Sequence, residues 1–303
     1  EGTITGVAGD FFDVQNLTGG TSADTFTFEV TGQITGNIAA GASNDLFNLA
    51  VGLGVGGKID GGDHDDELIG PDTGAVYIIT GPDDGTATGV GGGFFDVENL
   101  TGGTSADTFE FNGGTLSGSI AGGGVANDTL IADDAVSNSF VLTGANMGTV
   151  TGVTGSFSDI ENLTGGADDD LFVAPSGTSL TGTMTGAAGN DQFTITPDAA
   201  ISFLVAGGSH STPSGDVLTV TGQTQLPVDD GSTVTTLELG TVAYSGIETK
   251  SLQCAGCAVG SSISLLNDSS NGPMLQEAFA DLDSSPLETN SASTKLELLG
   301  EPA

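Results

Sequence analysis

An 18-residue segment that returns almost unchanged governs what this chain can fold into. FFDVQNLTGGTSADTFTF at 11–28 recurs as FFDVENLTGGTSADTFEF at 94–111, identical at 16 of 18 positions, and again as FSDIENLTGGADDDLFVA at 157–174. The offsets, 83 and 63 residues, are close to four and three multiples of 21. A shorter unit therefore lies inside the long one. Asp followed two residues later by Phe or Leu occurs at Asp24, Asp45, Asp66, Asp107, Asp128, Asp170 and Asp191, with gaps of 21, 21, 41, 21, 42 and 21. Thr86 and Thr149 fill the skipped places, and Thr3 begins the series. A second ladder of apolar residues before a glycine turn, Leu17, Ile38, Ile59, Ile79, Leu100, Ile120, Leu142, Leu163, Met184 and Val205, keeps the same period. Self-similarity at a fixed short period is the mark of a repeat architecture.

Each unit alternates apolar and polar residues over short stretches broken by glycine, as at Phe26 and Phe28 between Thr25 and Thr27. That alternation predicts strands, since glycine costs about 1 kcal/mol per helical site and the stretches are too short for helices. One unit buries little alone, so units must stack, with equivalent residues about 4.8 Å apart. The Phe/Leu column Phe26, Phe47, Leu68, Phe109, Leu130, Phe172, Phe193, Leu218 then becomes a continuous core. The expected fold is all-β: a right-handed parallel β-solenoid, β-helix or β-roll, of about 12 turns and about 55–60 Å, its hand following from crossover chirality. The solenoid is expected over 1–253, with irregular insertions within 206–243. A C-terminal segment, 254–303, shifts to Ser, Leu, Asp and Glu; it carries Cys254 and Cys257 and is expected to cap the rod or extend the assembly, with a short helix over 273–283 and a short strand or helix over 295–299.

Charge narrows the function. Forty Asp and Glu stand against three Lys and no Arg, a net charge of −37. Phosphate neutralisation needs clustered basic residues, so nucleic acid is not an expected partner, nor is an anionic membrane surface. No stretch approaches the roughly 18 apolar residues of a spanning helix, so no membrane insertion is expected. Glycine, 51 of 303 residues, has no three-residue period, and 37% apolar content sets the chain apart from solvated coils.

The glycine turns concentrate the acids. Asp60, Asp63, Asp65 and Asp66 share one turn, and Asp168, Asp169 and Asp170 stand one repeat before Asn190 and Asp191. Carboxylates stacked every 4.8 Å repel by about 0.9 kcal/mol per pair even in water. Either each Asp caps backbone N–H groups of its own turn or cations neutralise the column. Isolated carboxylates such as Asp24 and Asp107 are expected to cap, and the two clusters are expected to bind calcium. An Asn/polar ladder, Asn16, Asn37, Lys58, Asn99, Ser119, Asn162 and Thr183, is expected to hydrogen-bond along the axis, with Lys58 turned outward toward Asp60.

The turns GGTSADTFT, GGDHDDELI, GGADDDLFV and GAAGNDQFT resemble the haemolysin-type nonapeptide of the repeats-in-toxin family, Gly-Gly-x-Gly-x-Asp-x-apolar-x. The resemblance implies calcium between successive turns, held by Asp and turn carbonyls. Here the period is 21 with one such turn per coil, and the fourth-position glycine is kept only at Gly189. The chain is also similar to the β-strand-repeat proteins of bacterial surfaces.

Catalysis is not expected. Only His64 and His210 are present, both read as exposed, and paired carboxylates among forty acids carry no specificity. Cys254-Ala-Gly-Cys257 lacks a second pair for zinc, a histidine for haem attachment and a βαβ setting for thiol redox work, which leaves a disulfide in an oxidising compartment. The expected role is structural: a secreted, extracellular or cell-surface polymer, forming a filament, sheath, matrix fibre or adhesin stalk. Its partners would be further copies of itself, stacked end to end, and surface polysaccharide. The rival readings are a carbohydrate-active β-helix enzyme and a calcium-responsive secreted module.

Overall fold

A computed structural model describes residues 14–28, 32–49, 54–124, 126–199, 201–213, 215–222, 226–236, 240–256, 262–268 and 272–276. Among the described residues there is no helix, and the strands form two long sheets of sixteen and fourteen strands. The alternation of apolar and polar residues places one face of each strand inward, so a turn that visits both sheets encloses a core between them. In the first turns the apolar-Gly-Gly half lies in the larger sheet and the Asp-x-Phe half in the smaller. Leu17, Ile38 and Ile59 are in parallel register in the first; Phe26, Phe47 and Leu68 are in parallel register in the second. Rings stack within these columns, with Phe140, Phe172 and Phe193 at successive centroid separations of 4.7 and 4.8 Å. The architecture is β-solenoid-like.

The two ladders do not run unbroken, as the bare period predicts. The strands Val76–Gly81, Asp84–Ala87 and Val90–Phe95 form an antiparallel meander within the larger sheet. Ser139–Gly144, Met147–Val150 and Phe157–Ser158 do the same in the smaller. Each meander occupies one sheet three times in succession, so the chain leaves it with its halves exchanged. Leu68 therefore pairs with Leu100 rather than Phe109, and Phe109 pairs with Tyr77 and Leu130. Leu130 then pairs with Leu163. Thr86 and Thr149, which the spacing places in the Asp column, sit instead on the reversed middle strands. The cause is local: Asp83 and Asn146 adopt left-handed φ values of 55° and 52° at the first reversals, and Gly89 and Gly152 adopt 86° and 90° at the second, conformations that Asn, Asp and Gly tolerate.

The excess residues between Asp191 and Asp216 leave the strand intact: Val217–Gly222 pairs in register with Gln192–Ile195. A further meander, Val228–Asp229, Thr233–Thr235 and Thr241–Ser245, extends the larger sheet. In the smaller sheet Thr249–Cys254 pairs with Ser262–Asp268, which pairs with Gly272–Gln276. The helix expected from 273 is thus strand where it is described; the rest of 273–283, and 295–299, lie outside the described residues, as does Thr3.

Candidate functional site: a stacked carboxylate column

The repeated Asp of each turn hangs toward the preceding turn. Asp45 Oδ1 accepts the Asp24 N–H at 2.6 Å, Asp66 Oδ1 accepts Asp45 N–H at 2.6 Å, and Asp128 Oδ1 accepts Asp107 N–H at 2.7 Å. Asp191 and Asp216 continue the pattern, each at 2.8 Å. Where a meander interrupts the Asp series, glutamate takes over. Glu98, Glu161 and Glu248 accept the N–H groups of Asp66, Asp128 and Asp216 at 2.7, 2.9 and 2.8 Å. After each of the first two meanders the Asp reaches a loop: Asp107 accepts the Ala75 N–H, and Asp170 accepts the Asn138 N–H at 2.7 Å.

The second carboxylate oxygen divides the column into two classes. At Asp24, Asp107 and Asp170 it accepts the N–H of Gly20, Gly103 and Gly166 at 2.8, 2.6 and 2.6 Å. At Asp45, Asp66, Asp128, Asp191 and Asp216 it is buried without a donor. The backbone accounts for the division. In the second class the residue corresponding to Gly20 has positive φ: Gly41 113°, Gly62 103°, Gly123 103°, Ala187 77° and Gly208 129°. A change in the sign of φ there turns the preceding peptide over, as between type I and type II turns, and carries its N–H away from the carboxylate. Burial does not separate the classes, since Asp107 and Asp170 are 1% and 2% exposed and the orphaned five are 0–2%.

Burial raises these carboxyls above the ordinary range. Asp66 and Asp128 are pushed up to about 6 and Asp191 to about 7, in each case chiefly by loss of water, against one stabilising backbone N–H and with neighbouring carboxylates adding to the rise. Asp107 and Asp170 are raised by the same burial and held back by two backbone N–H groups each, joined at Asp170 by the Asn138 side-chain amide.

The eight residues expected to bind calcium are distributed otherwise. Asp66, Asp170 and Asp191 belong to the buried column; Asp63, Asp65, Asp168 and Asp169 are exposed; Asp60 is ion-paired with Lys58, whose ammonium also lies 5.2 Å from the Phe95 ring. Among the described residues no three His, Cys, Asp or Glu side chains converge as a metal would require. The orphaned oxygens are closed off as well: a Cβ on Gly61 would stand 2.4 Å from Asp66 Oδ2 and 2.1 Å from the Asp96 carbonyl, and one on Gly186 would stand 2.1 Å from Asp191 Oδ2. At Gly61 and Gly186 the carboxylate packs on the glycine Cα, whereas the Asp45 turn carries Ala40 at this place. A calcium ion takes six to eight oxygens, and this space is filled by backbone, so the residues of the column do not fit the ion.

The capping expected of Asp24 and Asp107 is present, and Asp170 shares it. The Asn ladder works through the backbone rather than by amide stacking: Asn16 Oδ1 accepts Asn37 N–H at 2.8 Å, Asn37 Oδ1 accepts Lys58 N–H at 2.8 Å, and Asn99 Oδ1 accepts Ser119 N–H at 3.0 Å. His64 is exposed, and His210 lies 3.4 Å from Glu248. Cys254 is disulfide-bonded; Cys257, the chain's one other cysteine, lies outside the described residues. The glutamates of the column escape a reading by Asp spacing, although Glu98 and Glu161 occupy the same place in two copies of the long repeat, where the first copy has Gln15. A second polar group was equally hidden: Lys250, Asp229 and Tyr244 form a triad at the far end of the core.

Comparison with protein-family models, with curated proteins and with solved structures finds no match to this chain.

Proposed function

We propose that this chain is an extracellular structural protein: an acidic, right-handed β-solenoid of about 12 turns whose copies stack end to end into a bacterial surface filament, sheath, matrix fibre or adhesin stalk. The observation that carries the reading is the turn-on-turn registry of a one-dimensional core, as in Phe26, Phe47 and Leu68, which has no intrinsic length and is completed at its ends only by more of itself or by a cap. The disulfide at Cys254 favours an oxidising compartment. The charge of −37 keeps such rods apart sideways while leaving axial contact, where strand edges meet, to hydrogen bonding. The test is negative-stain microscopy with sedimentation velocity across a concentration series. Particles that lengthen along one axis at constant width are expected; monodisperse short particles at every concentration would overturn the reading.

A further inference from the structure

Five buried carboxylate oxygens without a donor, each beside a peptide turned over relative to its counterpart, call for one explanation. Reversal is not imposed by glycine, because Ala187 adopts it at φ 77° against a cost of about 1–2 kcal/mol for an L-residue. Something at the carboxylate must favour the reversed form. An ionised oxygen facing a carbonyl is repelled, whereas a carboxylic acid facing a carbonyl donates a hydrogen bond to it.

We propose that the column is a ladder of proton-gated peptide flips, in which Asp45, Asp66, Asp128, Asp191 and Asp216 hold a proton on Oδ2 that hydrogen-bonds the reversed peptide's carbonyl. Asp107 and Asp170 are the same switch in its ionised position, with the peptide turned so that Gly103 or Gly166 donates its N–H instead. The proton comes from water and bonds to Oδ2. When it leaves, the O–H···O=C bond breaks, the peptide turns back, and an N–H···O⁻ bond replaces it. The upward displacement of Asp66, Asp128 and Asp191 agrees with this, as do the groups around each site. Asp45 faces Asp24 and Asp66; Asp66 faces Asp45, Asp65, His64 and Glu98; Asp128 faces Asp107, Asp159 and Glu161; Asp191 faces Asp169, Asp170 and Asp216; Asp216 faces Asp169, Asp191, Glu248 and His210. Apart from the two histidines every one of these is acidic, so charge and burial act in the same direction.

Asparagine separates the two classes. In Asp128→Asn or Asp45→Asn, Oδ1 still accepts the N–H of the preceding turn and Nδ2 takes over donation to the reversed carbonyl, so the full-length variants are expected to melt at pH 8 no lower than the parent. In Asp107→Asn or Asp170→Asn a backbone N–H donor meets an NH₂ group, and the midpoint is expected to fall by about 5 °C. Carbon-13 NMR of the Asp carboxyls in the unmodified protein supplies a second reading, with Asp128 protonated at pH 5 and keeping its proton to higher pH than Asp107. Equal losses in the two classes, an ionised Asp128 at pH 5, or calcium chloride raising the parent's midpoint but not that of Asp128→Asn would each overturn the proposal.

Discussion

Lys250 stands in register with Leu218, one turn further along the column that Phe140, Phe172 and Phe193 build. An apolar core position is thus held by an ammonium, 2.9 Å from Asp229 Oδ2 and 2.7 Å from the Tyr244 hydroxyl, which in turn donates to Asp229 Oδ1 at 2.7 Å. Breaking a buried pair strands a charge and costs about 3–5 kcal/mol, whereas replacing all members by apolar residues is often neutral. Asp229→Ala is expected to lower the denaturation midpoint steeply, while the triple replacement Lys250→Met, Asp229→Leu, Tyr244→Phe recovers most of the loss. Urea titration of both variants checks this.

Phe172 is sandwiched between Phe140 and Phe193 with rings within 11° of parallel, and none of the three is more than 1% exposed. Phe172→Ala removes a ring from the middle of the ladder, leaving a cavity that neighbouring turns, fixed by their own ladder bonds, do not close. A loss of about 3–5 kcal/mol is expected in chemical denaturation.

Stability should fall as pH rises. The folded chain keeps protons on Asp66, Asp128 and Asp191 up to about pH 6–7, while the unfolded chain releases them near 3.8. The folded state therefore binds more protons between these limits, and the contribution, complete below about pH 4, is lost progressively up to about pH 7, each tenfold change in proton affinity being worth about 1.4 kcal/mol. Asp229 works oppositely. Burial alone would raise it, but the Gly231 N–H, Lys250 and the Tyr244 hydroxyl outweigh burial and lower it, so its contribution disappears only as pH falls below 3.8. Thermal midpoints measured from pH 3 to pH 8 are expected to be highest at or below about pH 4 and to decline from there toward pH 7.

Chelation should leave the fold unchanged. The buried Oδ2 atoms of Asp66, Asp128, Asp191 and Asp216 pack on glycine Cα, and among the described residues no three His, Cys, Asp or Glu side chains are grouped to hold a metal. Circular dichroism with and without a chelator is expected to superimpose; collapse of the β signal on chelation would favour a calcium-responsive module.

How far the sequence reveals this arrangement differs between columns. The register of Phe26, Phe47 and Leu68 follows from a period of 21 and alternation alone, because a strand that slipped by one residue would turn its apolar face outward. The exchange at Leu68 and Leu100 does not follow, since a meander adds strands without disturbing the residue types that mark a turn. Its signal was nevertheless written twice, as TGPDDGTATGV at 80–90 and TGANMGTVTGV at 143–153, a reversal, a short strand and a second reversal in each. The carboxylate column was legible as a repeat of Asp but not as two classes. Gly20 and Gly41 look alike in the sequence, and their difference is a peptide orientation that residue types do not record.

The meanders also bear on how near-identical segments avoid being confused. The segments 11–28 and 94–111 could in principle trade places during folding, or between two chains, as tandem copies do. Yet Thr25–Thr27 belongs to the smaller sheet and Thr108–Phe111 to the larger, so a copy seated in the other's position would point the rest of its chain at the wrong wall. An added hairpin thus works as a key cut into an otherwise uniform shaft, giving each stretch of the molecule one address.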